Sequence, residues 1–89
     1  MIRITESARR RLQNIYYDRV KRPGLMLRLV LRSGGQLGLL AGKEQTSDEV
    51  HRTKKKKVLL IAEELAVLLN NCTLDIRDTK EGQVLYMLH

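Results

Sequence analysis

Leucine occupies every second position from Leu25 to Leu31, with Met26, Arg28, Val30 and Arg32 in between. A period of two puts the leucines on one face of an extended chain, whereas a helix would scatter them round its circumference. The run Leu25 to Arg32 is therefore predicted as a half-buried strand whose two arginines reach solvent. One apolar sheet face requires a second layer to cover it, and that requirement governs the rest of the reading.

The same patterning predicts the other elements. Ile2 to Ile4 reads as a short strand. Thr5 to about Val20 has Ala8, Leu12, Ile15, Tyr16 and Val20 at helical spacing, with Tyr16 assigned to the core. Thr5 suits its N-cap, Glu6 suits the positive end of the dipole, and Pro23-Gly24 closes its exit. Ser33-Gly34-Gly35 is a turn, and Leu37 to Ala41 is the strand returning from it. A polar loop, Gly42 to Asp48, leads to a lysine-tipped hairpin of Glu49 to Thr53 and Lys57 to Ile61. A two-turn helix over residues 62 to 69 ends at Asn70-Asn71, since Asn tolerates the left-handed backbone of a helix terminus. Strands Thr73 to Arg77 and Gln83 to Leu88 flank the turn Asp78 to Gly82.

The expected class is mainly β (α+β): a small sandwich or distorted barrel with one N-terminal amphipathic helix and one short helix. Residues 1–89 are read as a single domain, because so short a chain must commit nearly all its apolar side chains to one core. With 43% hydrophobic and 30% charged residues the chain is too apolar to be wholly disordered. Its longest apolar runs, Val58 to Ala62 among them, fall far short of the roughly 20 residues of a membrane span. Met1-Ile2-Arg3 lacks the apolar core of a signal peptide, and one cysteine cannot form an internal disulfide. A cytoplasmic protein without membrane contact is expected. The net charge of +7 attracts polyanions or acidic protein surfaces over about a Debye length, ~10 Å at 0.1 M salt.

Read in order, Ile4-Thr5-Glu6-Ser7-Ala8 with Leu12, Gly24-Leu25 through Gly38, and Val58 to Ile61 followed by Leu69 and Leu74-Asp75 form a pattern. It resembles the HesB-like family, the A-type iron–sulfur cluster carrier and assembly proteins, over essentially the whole chain. Arg32-Ser33-Gly34-Gly35-Gln36-Leu37-Gly38 resembles the family's Gly-Gly-Cys-Ser-Gly segment, whose cysteine is the first of three cluster ligands. The resemblance implies the family's β-sandwich and a habit of forming homo-oligomers.

The departures fall on the chemistry. Gln36 stands at the position of the first cysteine, and the sequence ends at His89, before the Cys-Gly-Cys tail that supplies the other two thiolates. Asn71 takes the place of a turn glycine, and Ala62 and Leu65 take the places of Asp and Ser at the start of the short helix. Clusters are held by four thiolates, sometimes with imidazole replacing some, whereas a Gln amide oxygen is hard and neutral. A degenerate family member is expected, lacking the three ligand cysteines, without an iron–sulfur cofactor and without catalytic residues.

Cys72 is the only thiol. At strand spacing with Leu74 and Ile76 it reads as a buried small hydrophobe in preference to a thiol site. His51 and His89 have no partner histidine at zinc spacing and read as surface residues. A metal shared between subunits through Cys72 or His89 ranks last. Gly34, Gly35 and Gly38 read as a tight strand connection, since no Lys-Ser or Lys-Thr and no helix follows them. Arg52 with Lys54, Lys55, Lys56 and Lys57 is the sharpest charge feature. It reads first as a lysine-protected sheet edge and second, with Arg28 and Arg32, as a docking patch for nucleic acid or an acidic protein. Arg9-Arg10-Arg11 adds to that patch only if it shares the same side. Three tyrosines and no Phe or Trp leave few platforms for stacking bases. The leading expectation is a non-catalytic HesB-like protein acting by protein contacts, and the alternative is a small basic binding module.

Overall fold

The computed structural model describes residues 1–53 and 56–88. The elements are β1 (Arg3–Ile4), α1 (Glu6–Arg19), β2 (Met26–Leu31), β3 (Leu37–Gly42), β4 (Glu49–Thr53), β5 (Lys56–Ile61), α2 (Glu63–Leu68), β6 (Thr73–Thr79) and β7 (Gly82–Leu88). They form a three-stranded sheet in the order β1-β6-β7 and a four-stranded sheet in the order β3-β2-β5-β4. The predicted α+β class with a two-sheet architecture is the one found.

Both sheets are mixed. β1 runs parallel to β6 and β2 runs parallel to β5, while β2–β3, β4–β5 and β6–β7 are antiparallel. Each parallel pair joins segments far apart in sequence, so the core depends on long-range closure. β5 shows this most directly: Val58, Leu59, Leu60 and Ile61 are all buried, which requires cover on both sheet faces. Leu27, Leu29, Leu59 and Ile61 share the core with Leu74 and Ile76 of the other sheet and with Ala8, Leu12 and Ile15 of α1.

The leucine alternation holds in its centre and fails at its ends. Leu27 and Leu29 are buried, but Leu31 is 49% exposed, because it lies where β2 runs out beside the turn at Ser33–Gly35. α1 starts and stops as predicted. Thr5 Oγ1 accepts from Ala8 N–H at 3.1 Å as the N-cap, and Val20 leaves the helix in extended geometry. α2 has no side-chain cap at Ala62, and Asn71 adopts φ +66°.

The last hairpin is longer than its residues suggested. β6 extends to Thr79 and β7 begins at Gly82, so the connection shrinks from Asp78–Gly82 to Lys80-Glu81. Thr79 Oγ1 accepts from Glu81 N–H, and Gly82 takes φ +110°, a region that disfavours any other residue. The β4–β5 hairpin also stands, with Thr53 opposite Lys56 and a register shift after His51, while the Lys54-Lys55 tip lies outside the described residues.

Two side chains expected at the surface are drawn in. His51 is buried, with Nε2 donating to Glu49 Oε2 at 2.6 Å, because its strand position places it opposite Leu59 of the core. Arg28 does not extend into solvent. It clamps Asp48, Nη1 to Oδ1 at 2.9 Å and Nη2 to Oδ2 at 2.5 Å, and also donates to the Lys43 carbonyl. The Asp48 side chain is 1% exposed, so this bidentate pair anchors the loop between β3 and β4.

Arg28, followed by the Gln45 backbone N–H, holds the Asp48 carboxyl below the usual carboxylate range. A depressed folded pKa means that the contribution is fully present above the unfolded value, about 3.9, and is lost as pH falls through the folded value. Asp48→Ala should cost about 2 kcal/mol at neutral pH, as expected for losing hydrogen bonds to a charged group, with the gap to wild type narrowing below about pH 4. Urea unfolding at the two pH values checks both parts.

Candidate functional site

The turn carrying Gln36 is held by its backbone. Arg32 N–H donates to the Gln36 carbonyl at 2.7 Å and Gly35 N–H to the Arg32 carbonyl at 3.1 Å. Gly34 and Gly35 take φ +83° and +79°, which accounts for this glycine pair. Gly38 answers a different need. A β-carbon there would collide with the Arg32 guanidinium, which lies across β3 at that point. Gln36 is exposed and lines a groove of about 500 Å³ with Glu81, Gln83, Tyr86 and Met87 of the last hairpin. The first strand turn and the last hairpin thus meet at one open site, whose polar lining is amides, a carboxylate and a phenol.

Cys72 is not at that groove. It is 6% exposed at the start of β6, with its N–H bonded to the Leu69 carbonyl and its carbonyl accepting from Arg3 N–H. Its burial with Leu74 and Ile76 follows the strand spacing read from the sequence. Among the described residues no three His, Cys, Asp or Glu side chains converge in metal-binding geometry, and His89 lies outside those residues.

The basic residues divide into separate neighbourhoods. Arg28 is tied to Asp48 inside the β3–β4 loop, and Arg32 lies over Gly38, so the structure groups neither with the hairpin. The three consecutive arginines of α1 splay apart because 100° separates neighbours on a helix. Arg9 Nη1 reaches the hairpin, donating to the Arg52 carbonyl at 2.8 Å and to Thr53 Oγ1 at 3.3 Å. Arg11 instead pairs with Asp78 at 2.5 Å, near Arg10. Lys57 pairs with Glu44, while Lys56 donates to the Tyr17 hydroxyl at 2.5 Å and sits 5.3 Å from that ring's centroid. Lys54 and Lys55 lie outside the described residues.

Sequence reasoning missed the groove that this arrangement frames. Gln13, Tyr16, Tyr17, Met26, Lys56 and Val58 line a cleft of about 420 Å³ between α1 and the β4–β5 hairpin. Tyr16 borders the core, yet also faces this cleft, and Tyr17, 54% exposed, packs edge-on against it at 5.7 Å. A signal was present, since Arg9, Gln13, Tyr16 and Tyr17 follow the i, i+4, i+7, i+8 spacing of one helix face.

No protein-family model and no curated protein sequence matches the chain. Its fold does match solved structures. Escherichia coli SufA, described as involved in biosynthesis of iron–sulfur clusters, superposes with a TM-score of 0.72 at 17% identity, covering 97% of this chain and 82% of SufA. IscA, solved with a [2Fe-2S] cluster, gives a TM-score of 0.64 at 19% identity over 98% of this chain and 83% of IscA. The fold is therefore that of SufA and IscA, as the sequence resemblance implied.

The buried Cys72 thiol should react with Ellman's reagent about 100-fold more slowly in the native protein than in urea, because access requires local opening. Stopped-flow absorbance measures both rates. Equal rates would show that the thiol is accessible in the native state.

Proposed function

We propose that this chain retains the fold of iron–sulfur carriers without their cluster chemistry, and that it is a non-enzymatic protein acting through protein contacts. The observation that carries this reading is the identity of residue 36. The turn that, by the sequence resemblance, corresponds to the one carrying the family's first ligand has two positive-φ glycines and offers a glutamine amide to solvent. A neutral amide oxygen is a poor ligand for iron in a sulfide cluster, which favours thiolates. The one thiol of residues 1–89 is buried elsewhere. A cluster would be cargo for this fold, and the groove beside Gln36 supplies no soft donor for it.

A homo-oligomer agrees with this reading. β3 and β7 are edge strands of their sheets that adjoin one another, and Leu31, Leu40, Tyr86 and Leu88 on or beside them are exposed. Sedimentation equilibrium should give a mass above that of the 10.3 kDa chain.

The second reading is a basic module for nucleic acid, favoured by the placing of Arg9, at Thr53, and Lys56, opposite Thr53, on one side of the hairpin. It predicts binding that weakens steeply with salt, and the absence of salt-sensitive binding to a DNA or RNA oligomer removes it.

Anaerobic reconstitution with iron and sulfide tests the first reading. The expected result is a colourless protein with no stoichiometric iron, unchanged by Cys72→Ser. A stable coloured species with stoichiometric iron would contradict it.

A further inference from the structure

We infer that the cleft between α1 and the β4–β5 hairpin is the docking site for an acidic peptide segment of a partner protein, which inserts an apolar side chain between the tyrosines and the hairpin. The inference deepens the protein-contact reading and rests on it.

Three observations converge on this occupant. The floor is apolar, made by Tyr16, Met26 and the fully buried Val58, and its volume of about 420 Å³ suits one or two inserted side chains. The rim is cationic through Lys56 and Lys57, with Arg9 one turn beyond Gln13 on the helix, and of these three Lys56 and Arg9 lack a carboxylate among the described residues. Lys56 donates to a phenol oxygen, and Arg9 to a backbone carbonyl and a hydroxyl, so both retain their full positive field, whereas Lys57 is already paired with Glu44. Partners bearing carboxylates gain electrostatic complementarity at such a rim, and apolar anchors gain by desolvating its floor.

The third observation separates a peptide from a nucleic acid. A base would stack on the only well-exposed aromatic of the cleft, Tyr17. One side of that ring is occupied by the Lys56 ammonium 5.3 Å from its centroid, and Tyr16 packs edge-on against it. A carboxylate can engage Lys56 where it stands, without displacing it. An apolar side chain entering from the Met26 side likewise leaves the pair intact.

The test is selection of a displayed library of random dodecapeptides against the wild-type protein, followed by amide NMR titration with the selected sequences. The expected winners combine Asp or Glu with at least one large apolar residue, and shift the amides of Gln13, Tyr17, Met26, Lys56 and Val58. Lys56→Glu should raise Kd at least tenfold. Arg10→Glu, the same charge change about 10 Å along the helix axis from Tyr17 and beside the Arg11–Asp78 pair, should alter it less than twofold.

No enrichment, winners lacking acidic residues, shifts centred elsewhere, or equal losses from both variants would overturn the inference. So would an oligo-dT that moves the same amides at equal or lower concentration. The spectra of the variants show directly that each is folded. Iron content is a separate readout, so a cluster found by reconstitution would contradict the protein-contact reading while leaving the result at the cleft legible.

Discussion

One polar knot joins the start of the chain to β6. Thr5 lies at its centre: its N–H donates to the Leu74 carbonyl, its hydroxyl donates to Asp75 Oδ1 at 2.8 Å, and the same oxygen caps α1 through Ala8 N–H. The Thr5 hydroxyl, with Arg77 and the Ile76 N–H, keeps the Asp75 carboxyl below its ordinary range and therefore charged near neutrality. The parallel pairing of β1 with β6 places Ile4 beside Leu74, and Ile2 and Ile4 are buried there. Each hydrogen bond contributes only about 1 kcal/mol, but together they fix where the helix leaves the sheet and in which direction it runs.

The direction of α1 decides which surface each of its side chains reaches. Ala8, Leu12 and Ile15 are carried into the core shared with β5 and β6, and Arg9 reaches the β4–β5 hairpin. The far end of the helix carries Tyr17 to Lys56. The cleft arises from this placement, because an amphipathic helix meeting a hairpin at an angle fills the space with its apolar side and leaves a gap at the boundary of its polar side. Arg11 turns away to Asp78, beside Arg10, so the charge of the triple-arginine segment is shared between two surfaces.

Much of this was legible in the residues. The Thr5 cap, the Ser33-Gly34-Gly35 turn and the left-handed Asn71 each follow from a local rule that the fold does not override, and the two-residue period holds at Leu27 and Leu29 but not at Leu31. The misses have a common cause. Arg28, His51 and the shortened Lys80-Glu81 turn depend on what lies across the sheet, and a pattern along one strand does not reveal a partner some 20 residues away such as Asp48. The polar spacing of Arg9, Gln13 and Tyr17 was visible, but only the tertiary placement of the hairpin makes it a cleft. Arg28 is drawn to Asp48 and Arg32 to Gly38, contacts that the pattern of charge along the chain does not reveal.

Fold and site chemistry are separable, because backbone and presented side chain answer to different constraints. The glycines Gly34 and Gly35 shape the backbone of the turn, and the turn presents one side chain to solvent. Here that side chain is Gln36, and among the described residues the core, caps and sheet pairing close without a cluster of metal-ligating side chains. The most direct measurement is an amide NMR titration of the protein with ferrous iron under argon. The account predicts a dispersed, folded spectrum before iron is added and no selective paramagnetic bleaching of Gly35, Gln36, Leu37 or Cys72. Bleaching centred on those residues, or a spectrum that disperses only once iron is present, would contradict it.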